Sequence, residues 1–399
     1  MLVFLALRLL TGVAALIMVT NAPMGKPNML WYDPSSGAGN PGGETYEMSL
    51  PDSSPLAELV SPWRRYDTVW YANLAIKGYR ANLGIVFPPL YPVLIHFTAP
   101  LLGNSIILAA LLISNVFCLI AFMLLFRLIQ REFNDDALAT RTLILIAAFP
   151  TSFYLMAGYT EPLFLAFTLG ALLAAFDQRW WMAGALSFLA ALTRLQGLVL
   201  CLPLGWIAYV QTRDYFTRYR SDHDRGALLR SLAARLPAAL GAGAGTLVYM
   251  AYLAINNFGS LEAAYNWGWK LTTRMPWVAV QTYFDRIGAG IVPEHENNNA
   301  LVLVAMIVLG ILVTIKFRPV YSLYVWSTLL AILLRYHYGE LLEGAQFESA
   351  FRYVLLLFPC FIAAALLIKR RWMLLAYSLV GLQWGLYLLD HYTHWIWVA

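Results

Sequence analysis

The chain has 399 residues, of which 60% are hydrophobic and only 12% are charged. Because an ordinary soluble domain carries about 25% charged residues, this composition excludes a soluble protein and indicates a single integral membrane domain. The net charge is only +5, and no basic stripe with interleaved aromatics stands outside the apolar runs, so we expect no nucleic-acid partner.

The first apolar run, Leu2 to Val19, is long enough to cross a bilayer, which takes about 20 residues. Arg8 interrupts it, and the run exceeds the usual length of a signal-peptide core, so we interpret it as the first span. A long polar segment follows. We assign residues 21–103 to an extracytoplasmic catalytic loop with juxtamembrane helices, in which the Gly- and Pro-rich stretch 33–43 is a flexible connector.

The second half of this loop contains two shorter elements. The spacing of Trp63, Tyr66 and Trp70 predicts an amphipathic helix over 63–79 that lies in the membrane interface. Residues 87–102 are apolar but short and contain four prolines. Counting them as a full span would turn basic residues outward, so we expect a broken or re-entrant segment.

Ten further apolar runs predict about eleven spans in all. They fall near 104–128, 141–157, 162–177, 181–193, 197–211, 236–256, 300–316, 320–335, 350–368 and 372–390. Lys and Arg cluster at alternate connections, which places the N-terminus and those connections in the cytoplasm. The sequence thus predicts an all-α bundle of residues 1–399, with core spans in 104–256, an outer loop over 257–299 and C-terminal spans in 300–399.

Asp67 is the most prominent carboxylate of the first outer loop. It shares a helix face with Tyr71 and is a candidate general base at the mouth of a membrane cavity. The residues alone leave two structural interpretations open: a favourable position in the first turn of a helix, or an ion pair with Arg64 or Arg65.

A second carboxylate, Glu161, stands between two apolar runs on the same predicted face. Pro162 can begin the following helix, so capping by Glu161 is one interpretation of this motif. The other is a functional carboxylate at the depth of Asp67.

Two arginines, Arg194 and Arg352, lie at the outer ends of apolar runs. Ionisable groups at membrane depth are expensive and are usually functional or paired. A guanidinium binds a phosphate through two hydrogen bonds, so both arginines are candidate phosphate contacts. The alternatives are ion pairs with Glu161 or Glu348, or arginine side chains that extend to the membrane interface.

Metal and disulfide sites are not indicated. Cys118, Cys201 and Cys360 all fall inside apolar runs, where a thiol behaves as a small hydrophobe. The outer-loop histidines and carboxylates show no recognised ligand spacing, so we predict no metal and no cofactor, although use of a divalent metal stays open. These loop residues are Glu294, His295, Glu296, His337, Glu340, Glu343 and Glu348.

The motifs, taken in order, resemble the GT-C superfamily of membrane glycosyltransferases, and most closely the phosphatidylinositol-glycan class V type (GPI mannosyltransferase 2) with its prokaryotic relatives. The resemblance covers roughly residues 60–200 well, with Tyr66-Asp67 and Val86-Phe87-Pro88 where the family commonly has Trp-Asp and Phe-Phe-Pro. The matching motifs begin at Tyr66, Ile76, Phe87, Phe149, Tyr159, Ala183, Leu192 and Arg352.

The resemblance implies inverting transfer of a sugar, mannose in that family, from a polyprenyl-phosphate donor to a lipid-, glycan- or protein-linked acceptor. It also implies that Asp67 is the base. We assign Arg194 and Arg352 to the donor phosphate, because a departing phosphate needs fixed cations. The residues expected to orient the acceptor or sugar are Glu161, Tyr159, Tyr66, Tyr71 and Trp70. We place the site outside a prokaryotic cell membrane.

Two other functions remain open from the sequence. A secondary transporter would need a midplane site and internal repeats, and no repeat is visible. A non-catalytic subunit of a glycosyltransferase complex would show activity only beside a second chain.

Overall fold

The computed structural model describes residues 1–21, 57–79, 83–222, 225–292, 294–338 and 346–398. The described residues are almost entirely helical, as predicted. The α-helices are α1 Leu2–Asn21, α2 Ala57–Val60, α3 Asp67–Lys77, α4 Leu90–Thr98, α5 Ile106–Phe133, α6 Asp136–Ala147, α7 Glu161–Phe176, α8 Trp180–Thr193, α9 Cys201–Asp222, α10 Arg225–Ile255, α11 Leu261–Ala263, α12 Pro276–Ala289, α13 Glu294–Lys316, α14 Pro319–Leu333, α15 Ala350–Tyr353, α16 Phe358–Leu367 and α17 Arg371–Thr393. The predicted connector at 33–43 and two loop carboxylates, Glu340 and Glu343, lie outside the described residues.

Six helices of the described chain are long and apolar enough to cross a membrane. They contain Leu2–Val19, Ile106–Phe133, Leu195–Arg213, Arg225–Ile255, His295–Lys316 and Arg371–Thr393. The pair Ala350–Leu356 and Phe358–Leu367, bent by 81°, can be a seventh span. The predicted count of about eleven is therefore not confirmed, because other apolar runs form helices of only 10–17 residues.

Helix α7 shows why a short apolar run need not be a span. Every residue of this 16-residue helix except Leu173 is buried, so it is surrounded by protein on all sides. Pro162 stands in its first turn, where the missing N–H costs no hydrogen bond. The helix therefore begins at Glu161 and presents that carboxylate at its N-terminal end.

Helices α8 and α10 approach so closely that only glycine fits between them. A Cβ atom at Gly241 would lie 2.3 Å from the carbonyl oxygen of Gly184, and one at Gly245 would lie 2.6 Å from that of Phe188. Small residues spaced by four are the usual means of close helix packing in membranes. This contact fixes α8, whose end carries Arg194.

The first-loop helix is shorter and more buried than predicted. Helix α3 begins at Asp67, after a 3₁₀ turn over Ser61–Trp63, and most of its residues are buried. It packs against α4 and α5 rather than lying on a surface. The predicted interruption over 87–102 is present as α4 followed by a 3₁₀ turn at Ala99–Leu102.

One two-stranded antiparallel sheet occurs in the described ranges. Strand β1, Leu271–Thr273, pairs with β2, Arg335–His337, in the register Leu271↔His337 and Thr273↔Arg335. The pairing joins the end of α14 to a segment over 60 positions earlier. It thereby positions Arg335 beside the start of α15.

Candidate active site

Four separate parts of the chain bring charged side chains together. Asp67 is the first residue of α3, and Glu161 is the first residue of α7. Arg194 follows the last residue of α8, where the backbone becomes extended before a 3₁₀ turn. Arg352 lies in α15, at the bent end of the broken helix pair. All four residues are buried, because the helix ends that carry them face the protein interior.

Asp67 forms a direct ion pair with Arg352. The Nη1 atom of Arg352 donates a hydrogen bond to Oδ2 of Asp67 at 2.7 Å. The interpretation that Asp67 pairs with a neighbouring arginine is therefore wrong. Arg65 instead donates a hydrogen bond from Nε to the carbonyl oxygen of Thr393, at 2.9 Å. The carboxylate of Asp67 is thus bound by an arginine 285 positions later in the sequence.

Glu161 lies between the two predicted arginines. Its Oε1 atom is 2.7 Å from Nη1 of Arg194 and 3.3 Å from Nε of Arg352. The predicted alternative of a Glu161–Arg194 ion pair is confirmed. Arg194 also donates from Nη1 to the hydroxyl of Thr160, at 2.9 Å. Glu161 is fully buried and does not line the cavity, so it positions the two arginines and is not placed to touch a substrate.

The other proposed partner, Glu348, does not pair with Arg352. Its Oε2 atom is instead 2.5 Å from Nε2 of His337. This pair lines the same cavity as Asp67. It joins β2 to the loop before α15.

A third arginine, Arg335, belongs to the site and was missed from the sequence. The guanidinium carbons of Arg194, Arg335 and Arg352 lie 4.9, 5.0 and 5.0 Å from the ring centre of Tyr353. An arginine over an aromatic face is a favourable arrangement. Arg335 ends the apolar run 320–335, so the signal that singled out Arg352 was also present there.

The arginines at this cluster differ in whether a carboxylate pairs with them directly. Arg194 pairs with Glu161, and Arg352 pairs with Asp67. Arg335 has no carboxylate within 4.0 Å in the described part of the chain, although Glu262 and Glu348 line the same cavity. A guanidinium in a cavity wall without a direct ion pair can bind an anionic ligand.

Asp67, the three arginines and Tyr353 line a cavity of about 1010 Å³. Its wall combines the charged cluster with an apolar side formed by the 3₁₀ turn after Arg194 and the start of α9. Leu198 and Leu202 on that side are 49% and 53% exposed, and both belong to a candidate span. The cavity therefore runs from buried charges to the apolar surface of a membrane helix.

Of the aromatic residues expected at the site, Tyr66, Trp70 and Tyr71 line the cavity, whereas Tyr159 does not. Burial raises the pKa of the Tyr66 and Tyr71 phenols well above the usual value, so both stay protonated. The Tyr71 hydroxyl lies 3.1 Å from that of Thr160. Tyr159 instead packs under the guanidinium of Arg352, at 5.1 Å.

A second layer of buried polar groups holds the segment that carries Arg352. Oδ1 of Asn299 accepts from the backbone N–H of Phe351 at 2.7 Å, and Oε1 of Glu296 accepts from that of Gln346, also at 2.7 Å. Both acceptors belong to α13. They fix the backbone on each side of the loop that leads into α15.

The loop residues considered for metal binding are used differently. Glu296 binds backbone, and His337 pairs with Glu348. No group of three or more His, Cys, Asp or Glu side chains suited to a metal ion occurs in the described ranges. The three cysteines are free, and two of them, Cys118 and Cys360, are buried.

Comparison with known proteins decides the family. A family model described as mannosyltransferase (PIG-V) matches residues 53–284, more than half of the chain. The chain belongs to the mannosyltransferase (PIG-V) family. The resemblance predicted from the ordered motifs is confirmed, and the matched stretch includes Asp67, Glu161 and Arg194.

Two curated members of this family are similar to part of the chain. GPI mannosyltransferase 2 of Schizosaccharomyces pombe (strain 972 / ATCC 24843) is 28% identical over 158 residues, 39% of this chain and 34% of that protein. GPI mannosyltransferase 2 of Drosophila pseudoobscura pseudoobscura is 27% identical over 172 residues, 40% of this chain and 37% of that protein. The matches thus span about a third of the relatives' length.

One solved structure is also similar, namely ArnT from Cupriavidus metallidurans bound to undecaprenyl phosphate. The two chains are 14% identical, with a TM-score of 0.46. The alignment covers 80% of this chain and 58% of ArnT.

Proposed function

We propose that this protein transfers a sugar, mannose in keeping with its family, from a polyprenyl-phosphate donor to an acceptor hydroxyl, with inversion at the sugar carbon. The acceptor is a lipid-, glycan- or protein-linked hydroxyl. The observation that carries the proposal is the cavity itself, which places the carboxylate of Asp67 beside a cluster of three arginines and opens onto an apolar helix surface.

Asp67 has the position required of a general base. It lines the cavity, its side chain is 12% exposed, and Arg352 holds it in one orientation. In the proposed step, the acceptor oxygen forms a bond to the anomeric carbon as the bond from that carbon to the phosphate oxygen breaks. Asp67 takes the hydroxyl proton, and the electron pair leaves on the lipid phosphate.

The arginines suit the departing phosphate. Arg194 and Arg352 are partly neutralised by direct ion pairs, whereas Arg335 contributes a guanidinium to the cavity wall that has no direct ion pair among the described residues. Fixed cations directed at the site where negative charge develops stabilise a transition state more than water does. We therefore extend the phosphate-binding set to Arg335, which lies, like the other two guanidiniums, at ring-contact distance from Tyr353.

The apolar side of the cavity suits the lipid of the donor. Leu198 and Leu202 are exposed on a candidate span, so a polyprenyl chain can lie against them while its phosphate reaches Arg194. We propose that this mouth lies at the outer face of the membrane, because the Lys and Arg clusters at alternate connections predict that those connections are cytoplasmic.

The test uses the full chain, purified in detergent or nanodiscs, with polyprenyl-phosphate [¹⁴C]mannose and a panel of acceptors. Asp67→Asn should lower kcat about 10²- to 10⁴-fold, the usual contribution of a general base, with the donor KM nearly unchanged. Asp285→Asn, at an exposed position on α12, is the matched control. Wild-type turnover by folded Asp67→Asn would contradict the proposed role.

A further inference from the structure

Three aromatic rings form a cluster beside Asp67, and two of them, Trp395 and Trp397, lie outside both the ordered motifs and the family match. The ring of Tyr66 meets that of Trp395 at 5.3 Å and that of Trp397 at 4.9 Å, both edge to face. All three residues line the cavity. The two tryptophans follow α17, more than a hundred positions beyond the matched stretch, which ends at residue 284.

The backbone at this cluster is strained at two points that face one another. Tyr66 has φ of 46° and Trp395 has φ of 64°, both in the left-handed region. Bulky residues rarely adopt such angles, and each instance costs on the order of 1–3 kcal/mol. Strain of this kind persists where the surrounding structure over-determines a side-chain position, which is common at ligand sites.

Arg65 supplies the constraint that holds Trp395 in place. Its Nε atom donates to the carbonyl oxygen of Thr393 at 2.9 Å, and its guanidinium lies 5.0 Å from the Trp395 ring centre. Arg65 is itself buried. The first loop and the segment after α17 are thereby tied together, with their aromatic rings lining one part of the cavity.

We infer that Tyr66, Trp395 and Trp397 bind the face of a carbohydrate ring on the acceptor. This inference rests on the proposed function of Asp67, the residue that follows Tyr66. Rigid aromatic surfaces with a polar edge suit a ring that has apolar C–H faces and hydroxyls at its rim. The Tyr66 hydroxyl is buried at this cluster and has no hydrogen-bond partner among the described residues.

Asp67 then stands between two different subsites. Its carboxylate bonds to Arg352, on the side of the three arginines, while its neighbour Tyr66 contacts the tryptophans. The donor phosphate occupies the first side and the acceptor sugar the second. A side-chain hydroxyl of Ser or Thr in a peptide offers no ring to the aromatic surface, so it is the poorer acceptor.

The test compares octyl α-D-mannopyranoside with 1-octanol, which has the same alkyl chain without a ring, and with a Ser-containing peptide. Trp395→Ala should raise the KM for the octyl mannoside at least tenfold, with the donor KM changed less than threefold. Trp395→Phe should recover part of the loss, because it restores a flat ring. Trp181→Ala is the control, since Trp181 is 78% exposed on α8.

Direct binding separates failure of the inference from failure of the proposed function. Saturation-transfer NMR with the octyl mannoside measures the subsite without any turnover. Suppose that the wild type transfers sugar to no acceptor but binds this probe, and that Trp395→Ala abolishes the binding. This result would support the carbohydrate subsite and contradict the proposed function. The inference is overturned if the wild type binds 1-octanol equally well, or if Trp395→Ala leaves both binding and acceptor KM unchanged.

Discussion

The two ion pairs of Arg352 predict an unequal and non-additive loss of stability when its partners are removed. Arg352 contacts Asp67 at 2.7 Å and Glu161 at 3.3 Å, whereas Asp67 has one described arginine partner. Breaking a buried ion pair by removing one member costs about 3–5 kcal/mol. Arg352→Gln removes the cation from two carboxylates at once, so we place its cost at the upper end of that range or above.

The loss for Asp67→Asn should be smaller. Arg352 keeps Glu161, and the amide of asparagine can still accept a hydrogen bond, so only the charge-assisted part, about 1.5–3 kcal/mol, is lost. In the double variant Asp67→Asn/Arg352→Gln, the ion pair of Asp67 has already been lost with Arg352, so the change at Asp67 costs little more. The cycle should therefore give a coupling energy of about 1.5–3 kcal/mol.

The assay is equilibrium unfolding of the purified full chain in mixed micelles with increasing SDS, followed by tryptophan fluorescence. The control is Arg131→Gln, which breaks an ion pair with Asp177 whose two side chains are 39% and 45% exposed, and should cost less than about 1 kcal/mol. Additive losses in the cycle, or a larger loss for Asp67→Asn than for Arg352→Gln, would refute the reasoning.

Three further predictions concern the helix packing and the donor side. Gly241→Leu should abolish folding of the detergent-purified protein, because a Cβ atom at this position would lie 2.3 Å from a carbonyl oxygen of α8. Gly205→Ala is the control. A Cβ atom at Gly205 would have no neighbouring atom within 4 Å, so the melting temperature should stay nearly unchanged. Arg335→Gln should raise the donor KM about 10- to 150-fold, the equivalent of a 1.5–3 kcal/mol charged hydrogen bond, whereas Arg274→Gln, at an exposed position, should not. Leu198→Arg should raise the KM for a long polyprenyl donor more than that for a short-chain analogue, and equal effects would argue against a lipid path along α9.

The site residues that could be predicted are those that the neighbouring sequence alone distinguishes. Asp67 was recognisable as the prominent carboxylate among the aromatic residues of the first outer loop. An ionisable residue at the end of an apolar run is rare and expensive, which singled out Glu161, Arg194 and Arg352 without any knowledge of the fold. The pairing of Glu161 with Arg194 followed from the same reasoning. The partner of Asp67 did not, because the nearby arginines are closer in sequence than Arg352 but face other groups.

What could not be predicted depends on contacts between distant segments. Arg335 reaches the cavity only because β2 pairs with β1, and a three-residue strand leaves no period in the sequence. The tryptophans after α17 likewise need Arg65 to reach Asp67. The predicted number of spans is not confirmed for a different reason. Hydropathy shows only that a run is apolar, and the apolar run of α7 is surrounded by protein.

The tie between Arg65 and Thr393 also sets a condition on biosynthesis. The two residues are 328 positions apart, which is about 15 to 65 seconds of synthesis at 5–20 residues per second. In the proposed topology the first loop lies outside the membrane throughout that interval, without the helix that completes its wall. Its buried guanidinium must be solvated or shielded by other means until α17 inserts. Protection of this loop from added protease should therefore mark the moment at which the nascent chain is fully assembled.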